Sequence, residues 1–86
     1  MQVLIIEDEK RLANALAQIV KEERYFVDVV YDGKDGLDYA LSGIYDVAII
    51  DVMLPFVSGL EIVKKMVSVA AENGSKDDMT AIIVRR

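Results

Sequence analysis

Short apolar runs alternate along this chain with segments of helical periodicity. The runs are rich in Val, Ile and Ala and indicate strands at 2–6, 26–31, 47–50 and 79–84. Between them, apolar residues recur every three or four positions, which is typical of amphipathic helices. The predicted apolar positions are Leu12, Ala15, Leu16, Ile19 and Val20 in the first helix, Gly36, Leu37, Ala40 and Leu41 in the second, and Leu60, Ile62, Val63, Met66, Val67 and Ala70 in the third.

This alternation predicts a single α/β domain. Strand, helix and strand in succession form right-handed crossovers, so the sheet should be parallel. We expect four strands in the order 2-1-3-4 with three helices, a truncated flavodoxin-like fold. Ser58 and Glu61 fit a capping box at the start of the third helix, and Asn73-Gly74 is a stop signal at its end.

Composition narrows the classes of function. The chain has 86 residues, of which 53% are hydrophobic, so a small folded domain is expected. Its net charge of −5 disfavours nucleic acid and anionic membranes as partners. It contains no cysteine, which excludes a disulfide or thiolate metal site. The strand-like start without a signal segment makes a cytoplasmic protein the expectation.

Three acidic residues follow two of the predicted strands. Glu7 and Asp8 come after the first strand, and Asp51 ends the third. In the order 2-1-3-4 these strands are neighbours, and ligands bind at the carboxyl ends of such strands. Each acid alone would commonly be a solvated loop residue. Together they predict a Mg²⁺ site, in which Asp51 is able to attack a phosphoryl group.

The first 66 residues resemble the CheY-like receiver domain of two-component response regulators, in particular of those that carry a winged-helix output domain. Three stretches of sequence carry this resemblance, and each includes the end of a predicted strand. They are Val3-Leu4-Ile5-Ile6-Glu7-Asp8-Glu9; Asp28-Val29-Val30-Tyr31-Asp32-Gly33 with Gly36-Leu37; and Asp46-Val47-Ala48-Ile49-Ile50-Asp51-Val52-Met53-Leu54-Pro55 with Ser58-Gly59-Leu60.

The resemblance implies a set of site residues. Asp51 would be the phosphoacceptor, supplied by a histidine kinase or a small phosphodonor. Asp8 would bind Mg²⁺ directly, Glu7 would reach it through water, and the backbone carbonyl of Met53 would be a further ligand. The family's phosphate-binding Ser or Thr and its Lys have no counterpart here, because Thr80 begins the last strand instead of ending it. A vestigial phosphoacceptor without enzyme activity is therefore the first hypothesis.

The tail, residues 67–86, is similar to the closing helix, turn and strand of the metal-dependent (PPM) protein phosphatases. That resemblance rests on 74–84 and would make Asp77 a metal ligand, with Asp78 where the family often has Asn. The simpler interpretation of both acids is a charged turn before a strand. Because the remaining ligands would be missing, phosphatase activity is not expected. Residues 1–66 and 67–86 would complete one domain, joined near 64–69.

Two unrelated families within one helix suggest a second hypothesis, an engineered or recombined chimera with no selected activity. Under either hypothesis we expect a homodimer. The first helix would cover its sheet face alone, leaving apolar side chains in contact with water. The last strand would also be an edge without Lys or Pro to discourage pairing. The side chains in contact with water would be among Val47, Ile49, Ile82 and Val84, and the unprotected edge would be residues 81–84.

Overall fold

A computed structural model describes the backbone of residues 1–73 and 80–84 and the side chains of residues 1–68. Strands and helices alternate along the described chain, which confirms the α/β class with a parallel sheet and three helices. The elements are β1 (Gln2–Ile6), α1 (Lys10–Glu22), β2 (Phe26–Val30), α2 (Gly33–Ala40), β3 (Val47–Asp51), α3 (Gly59–Asn73) and β4 (Thr80–Val84). None of the helices described is long and apolar enough to cross a membrane.

The sheet has the order β2-β1-β3-β4 and all of its pairings are parallel. In its register Ile6 lies between Val30 and Ile50, so that the carboxyl ends of the three strands meet at one edge. Met79, predicted to begin the last strand, lies outside the described residues, as do Asp77 and Asp78.

One face of the sheet packs against α2 and α3. Leu4, Ile6, Ala48 and Ile50 on the strands have no exposed surface. A β-carbon added at Gly36 in α2 would lie 2.6 Å from Cγ2 of Ile6, so the helix approaches the sheet this closely only without a side chain there. Other members of this core are Val30, Ala40, Tyr45 and Ile62, with Leu37, Leu54, Val57, Val63 and Met66 packed around them.

The opposite face packs against α1, and the predicted apolar stripe of this helix is partly wrong. Ala13 and Ala17 are buried against Val3 and Ile5 of β1. Leu16 and Val20 are half-buried beside this core, but Ala15 is exposed and Ile19 is 60% exposed. The helix is rotated so that two alanines lie nearest the sheet, which lets the helix approach the sheet closely. A prediction from hydrophobicity alone favoured the larger apolar residues instead.

The stripes predicted for α2 and α3 also include exposed residues. Leu41 follows the last residue of α2 as its cap and is 40% exposed. Leu60 is at the solvent-facing start of α3, and Val67 is 63% exposed further along. These residues lie outside the contact area with the sheet, because each helix presents only a narrow stripe to it.

The first turn of α3 agrees with its sequence signal. The Ser58 hydroxyl accepts a hydrogen bond from the backbone N–H of Glu61 at 3.2 Å, which is one of the two hydrogen bonds of the predicted capping box. The helix then runs without interruption through residues 64–69, where the two resemblances were expected to join. The described backbone therefore has no break at the proposed junction.

Candidate metal centre

Glu7, Asp8 and Asp51 lie together at the carboxyl edge of the sheet. One carboxylate oxygen from each lies within 4.8 Å of those of the other two. Glu7 directly follows β1, where its backbone N–H donates to the carbonyl oxygen of Val30 at 3.0 Å. Asp51 is the last residue of the neighbouring strand β3. The parallel pairing of β1 with β3 thus brings the three acids together.

Burial makes this cluster electrostatically costly. Glu7 is 2% exposed and Asp51 is 1% exposed, whereas Asp8 is exposed. Burial raises the pKa of the Glu7 carboxyl, and the backbone N–H of Glu9 opposes this by stabilising the charged form. Hydrogen bonding with Asp51 and Asp8, and the charge of Asp51, raise the pKa further. A bound cation would offset this cost.

The donor set fits a hard cation. All three side chains offer carboxylate oxygens, which are the ligands that Mg²⁺ prefers. Glu7 and Asp8 directly follow β1 and Asp51 is the last residue of β3, so the sheet restrains their positions. Since Asp8 is exposed while its two neighbours are buried, the cluster has one side accessible to solvent and one enclosed by protein. Water and a phosphate group would supply the remaining ligands from the accessible side.

The backbone after β3 orients Asp51. The backbone N–H of Met53 donates to Asp51 Oδ1 at 3.0 Å. The Met53 side chain is 71% exposed, so this residue contributes to the site through its backbone. The role predicted for its carbonyl oxygen as a metal ligand stays a prediction.

Two glycines hold the loop that follows Asp51. The N–H of Gly59 donates to the Val52 carbonyl at 3.1 Å, and that of Gly33 donates to the Pro55 carbonyl at 2.9 Å. A β-carbon on Gly59 would lie 2.3 Å from the Asp51 carbonyl oxygen. One on Gly33 would lie 1.8 Å from the carbonyl oxygen of Val57. The role of Gly33 was missed, because the sequence presented it only as the stop after β2.

Glu9 is a second residue that sequence reasoning missed. Its backbone N–H donates to Glu7 Oε2 at 3.1 Å, and its carboxylate caps α1. The available signal was its position, an acidic residue directly before the first periodic residues of a helix. Glutamate is not among the residues most favoured there, which is why the signal was weak.

Comparisons with known proteins identify the family. The sequence model of the response regulator receiver domain family matches residues 3–84, which is nearly the whole chain. The chain therefore belongs to the receiver domain family of response regulators, as the resemblance of its first 66 residues implied.

Curated relatives match about three quarters of the chain. Response regulator ArlR of Staphylococcus aureus is 54% identical over 65 residues, which are 76% of this chain and 30% of the relative. Transcriptional regulatory protein DltR of Streptococcus agalactiae is 44% identical over 66 residues, 77% of this chain and 30% of the relative. The chain thus spans about 30% of the length of these relatives.

Solved structures share the fold. Response regulator TrrA of Thermotoga maritima, solved in complex with Mg²⁺ and BeF, is 28% identical with a TM-score of 0.80. The match covers 98% of this chain and 68% of TrrA. The receiver domain of Francisella response regulator 1452 is 26% identical with a TM-score of 0.80, over 98% of this chain and 64% of that one.

The match to the receiver family also covers most of the tail, residues 67–86. The receiver family model extends to residue 84, across the junction that a chimera would require near residues 64–69. Most of the segment compared with PPM phosphatases is thus matched by the receiver family itself. The chimera hypothesis has no support from these findings.

Proposed function

We propose that this chain is a phosphoacceptor module in which Asp51 receives a phosphoryl group with the help of Mg²⁺. The observation that carries this proposal is the convergence of Asp51 with Glu7 and Asp8 at the end of two paired strands. Membership in the receiver family supports it. Asp8 and Asp51 would bind the ion directly, Glu7 through water, and the Met53 carbonyl would complete the protein ligands.

The reaction is a transfer of a phosphoryl group from the donor to the Asp51 carboxylate. A carboxylate oxygen of Asp51 forms a bond to phosphorus while the bond to the donor breaks, and the leaving group keeps the electron pair. The Met53 N–H holds Oδ1 of Asp51 in place during this step. When bound, Mg²⁺ would neutralise charge on the transferring oxygens, which the buried carboxylates would otherwise repel.

The phosphate source would be a phosphohistidine on a kinase or a small phosphodonor such as acetyl phosphate. Transfer is expected to be inefficient. The receiver resemblance calls for a Ser or Thr at the carboxyl end of the fourth strand, but β4 ends in Val84 and Thr80 is its first residue. On that ground we propose that the module accepts phosphate in low yield and is vestigial in signalling.

Phosphorylation by acetyl phosphate tests the proposal. With Mg²⁺ present, intact-protein mass spectrometry should show the addition of a single phosphoryl group, which is lost in Asp51→Asn. Asp38→Asn makes the same chemical change at an exposed position of α2 and should retain the modification. An unchanged mass, or modification that persists in Asp51→Asn, would contradict the proposal. Omitting Mg²⁺ should reduce the yield.

We also propose that the module forms a homodimer. On the α1 face Val47 and Ile49 are only half-buried, since a single helix covers that side. The strand β4 lies at an edge of the described sheet, where its backbone groups can pair with another strand. A second copy would cover this surface and close the assembly. Sedimentation equilibrium at micromolar concentration should give the dimer mass, whereas a stable, folded monomer would disprove this proposal.

A further inference from the structure

Glu9 connects the start of α1 to the acidic cluster. Its carboxylate accepts two backbone hydrogen bonds in the first turn of the helix, from Arg11 to Oε1 at 3.0 Å and from Leu12 to Oε2 at 3.1 Å. Its carbonyl oxygen accepts the next one, from Ala13 at 2.9 Å. Three of the helix's first backbone N–H groups therefore depend on this single residue.

The backbone N–H of the same residue points to the site. It donates to Oε2 of Glu7 at 3.1 Å. The carboxylate of Glu7 is buried, so the hydrogen bonds it receives decide where its oxygens lie. The orientation of the Glu9 peptide is in turn set by the cap, because the cap holds the Glu9 backbone in an extended conformation with φ −83° and ψ 105°.

Lys10 adds a second anchor for this segment. It is the first residue of α1, and its Nζ lies 5.3 Å from the centroid of the Tyr31 ring, just beyond the end of β2. Such a cation and ring attract each other. Together with the hydrogen bond from Glu7 to Val30, this contact holds the loop between β1 and α1 against the neighbouring strand.

We propose that Glu9 is a positioning residue for the metal centre: by capping α1 it holds its own N–H toward Glu7 and so fixes the spacing of the three acids. It acts through Glu7 and is not itself a metal ligand. This inference rests on the proposed Mg²⁺ binding and assigns a structural cause to its affinity. Groups that orient ligands in this way commonly change metal affinity by about 10- to 100-fold when they are removed.

Two variants separate capping from charge. Glu9→Ala removes both the cap and one negative charge, whereas Glu9→Asn removes the same charge but keeps a side chain that caps well. We expect Mg²⁺ affinity, measured by isothermal titration, to fall about tenfold in Glu9→Ala, the lower end of that range. In Glu9→Asn it should stay within about twofold of the original chain, because a capping side chain is restored.

Hydrogen exchange of the metal-free protein supplies an independent readout. The amides of Glu9, Arg11 and Leu12 should exchange faster in Glu9→Ala and at nearly the original rate in Glu9→Asn. If Glu9→Ala does not fold, Glu9→Gly takes its place, because glycine is tolerated at this helix position without supplying a side-chain cap.

The outcomes are distinct. Equal losses of affinity in the two variants would show that charge matters and capping does not, and would overturn the inference. A Mg²⁺ affinity in Glu9→Ala equal to that of the original chain would also overturn the inference. If the original chain itself fails to bind Mg²⁺, both the proposed function and the inference fail. Results confined to the Glu9 variants would contradict the inference alone.

Discussion

The two faces of the sheet are closed to different extents. On the face that α2 and α3 cover, Ala48 and Ile50 of β3 have no exposed surface. On the α1 face, the alternate residues Val47 and Ile49 of the same strand remain half-buried. The central strand β1 is buried on both sides, since Ile5 and Ile6 are both fully covered.

A single helix, α1, therefore buries the central strand β1 but leaves the neighbouring strand β3 partly exposed on that face. The closed face gains a second helix and a buried tyrosine, and its core is continuous from β1 to α3. The α1 face relies on two buried alanines over the central strand. Substitutions of similar chemistry should therefore have unequal effects on the two faces.

The largest difference is expected between neighbouring isoleucines of β3. Ile50→Ala should lower the free energy of unfolding by about 3 to 4 kcal/mol, because it leaves a cavity in the closed core. Ile49→Ala should cost about 1 to 2 kcal/mol, since its side chain is already half in water. Urea denaturation measures both. If Ile50→Ala does not fold, Ile50→Val and Ile49→Val replace the pair. Equal losses would show that the faces are equally closed.

Enlarging a side chain should also affect the two faces of the sheet unequally. Gly36→Ala places a methyl group 2.6 Å from Ile6 on the closed face, and we expect a loss of about 1 to 3 kcal/mol from overpacking. Ala15→Leu adds more atoms on α1, but at an exposed position, so its effect should be within about 0.5 kcal/mol. Thermal denaturation compares the two. A neutral Gly36→Ala would mean that α2 can move away from the sheet at little cost.

A smaller effect is expected at the buried tyrosine of the closed face. The hydroxyl of Tyr45 donates to Asp28 Oδ2 at 2.5 Å, and the residue is 6% exposed. Tyr45→Phe should cost about 1 kcal/mol through loss of this hydrogen bond. Tyr39→Phe is the control, since Tyr39 is 44% exposed and its substitution should be nearly neutral.

The same tyrosine has a pH signature. Burial, followed by the hydrogen bond with Asp28 and its charge, raises the pKa of the Tyr45 phenol above its usual range. The folded chain thus keeps its proton at a pH where the unfolded phenol, with a pKa of about 10, ionises. Its contribution to stability is complete below that pH and is lost as the pH rises further. Between pH 9 and 11 the urea midpoint should therefore fall more steeply in the original chain than in Tyr45→Phe, and parallel curves would contradict this assignment.

The acidic cluster at the candidate metal centre was predictable from the sequence to a large extent. Glu7 and Asp8 directly follow β1 and Asp51 ends β3, and parallel pairing of those strands leaves only one edge at which the three acids can meet. Residues that act on these acids through the backbone were not predictable in the same way. The Met53 N–H reaches Asp51 because the chain turns after β3, and a pattern of side-chain types carries no information about that turn.

The alternation of apolar runs and amphipathic segments predicted the helices, the strands before the tail and the location of the acids, because a strand buried on both faces needs a continuous apolar run and a helix buried on one side needs apolar residues at a period of 3.6. The packing of the helices on the sheet settled which residues within each predicted stripe are fully buried. In α1 the contact with the sheet selects Ala13 and Ala17 over the larger Ile19, since close approach favours small residues at the line of contact. It likewise decided that Glu9 caps α1 and that Gly33 holds the loop after Asp51. These roles depend on backbone directions and on distances between distant segments, which exist only once the sheet has formed.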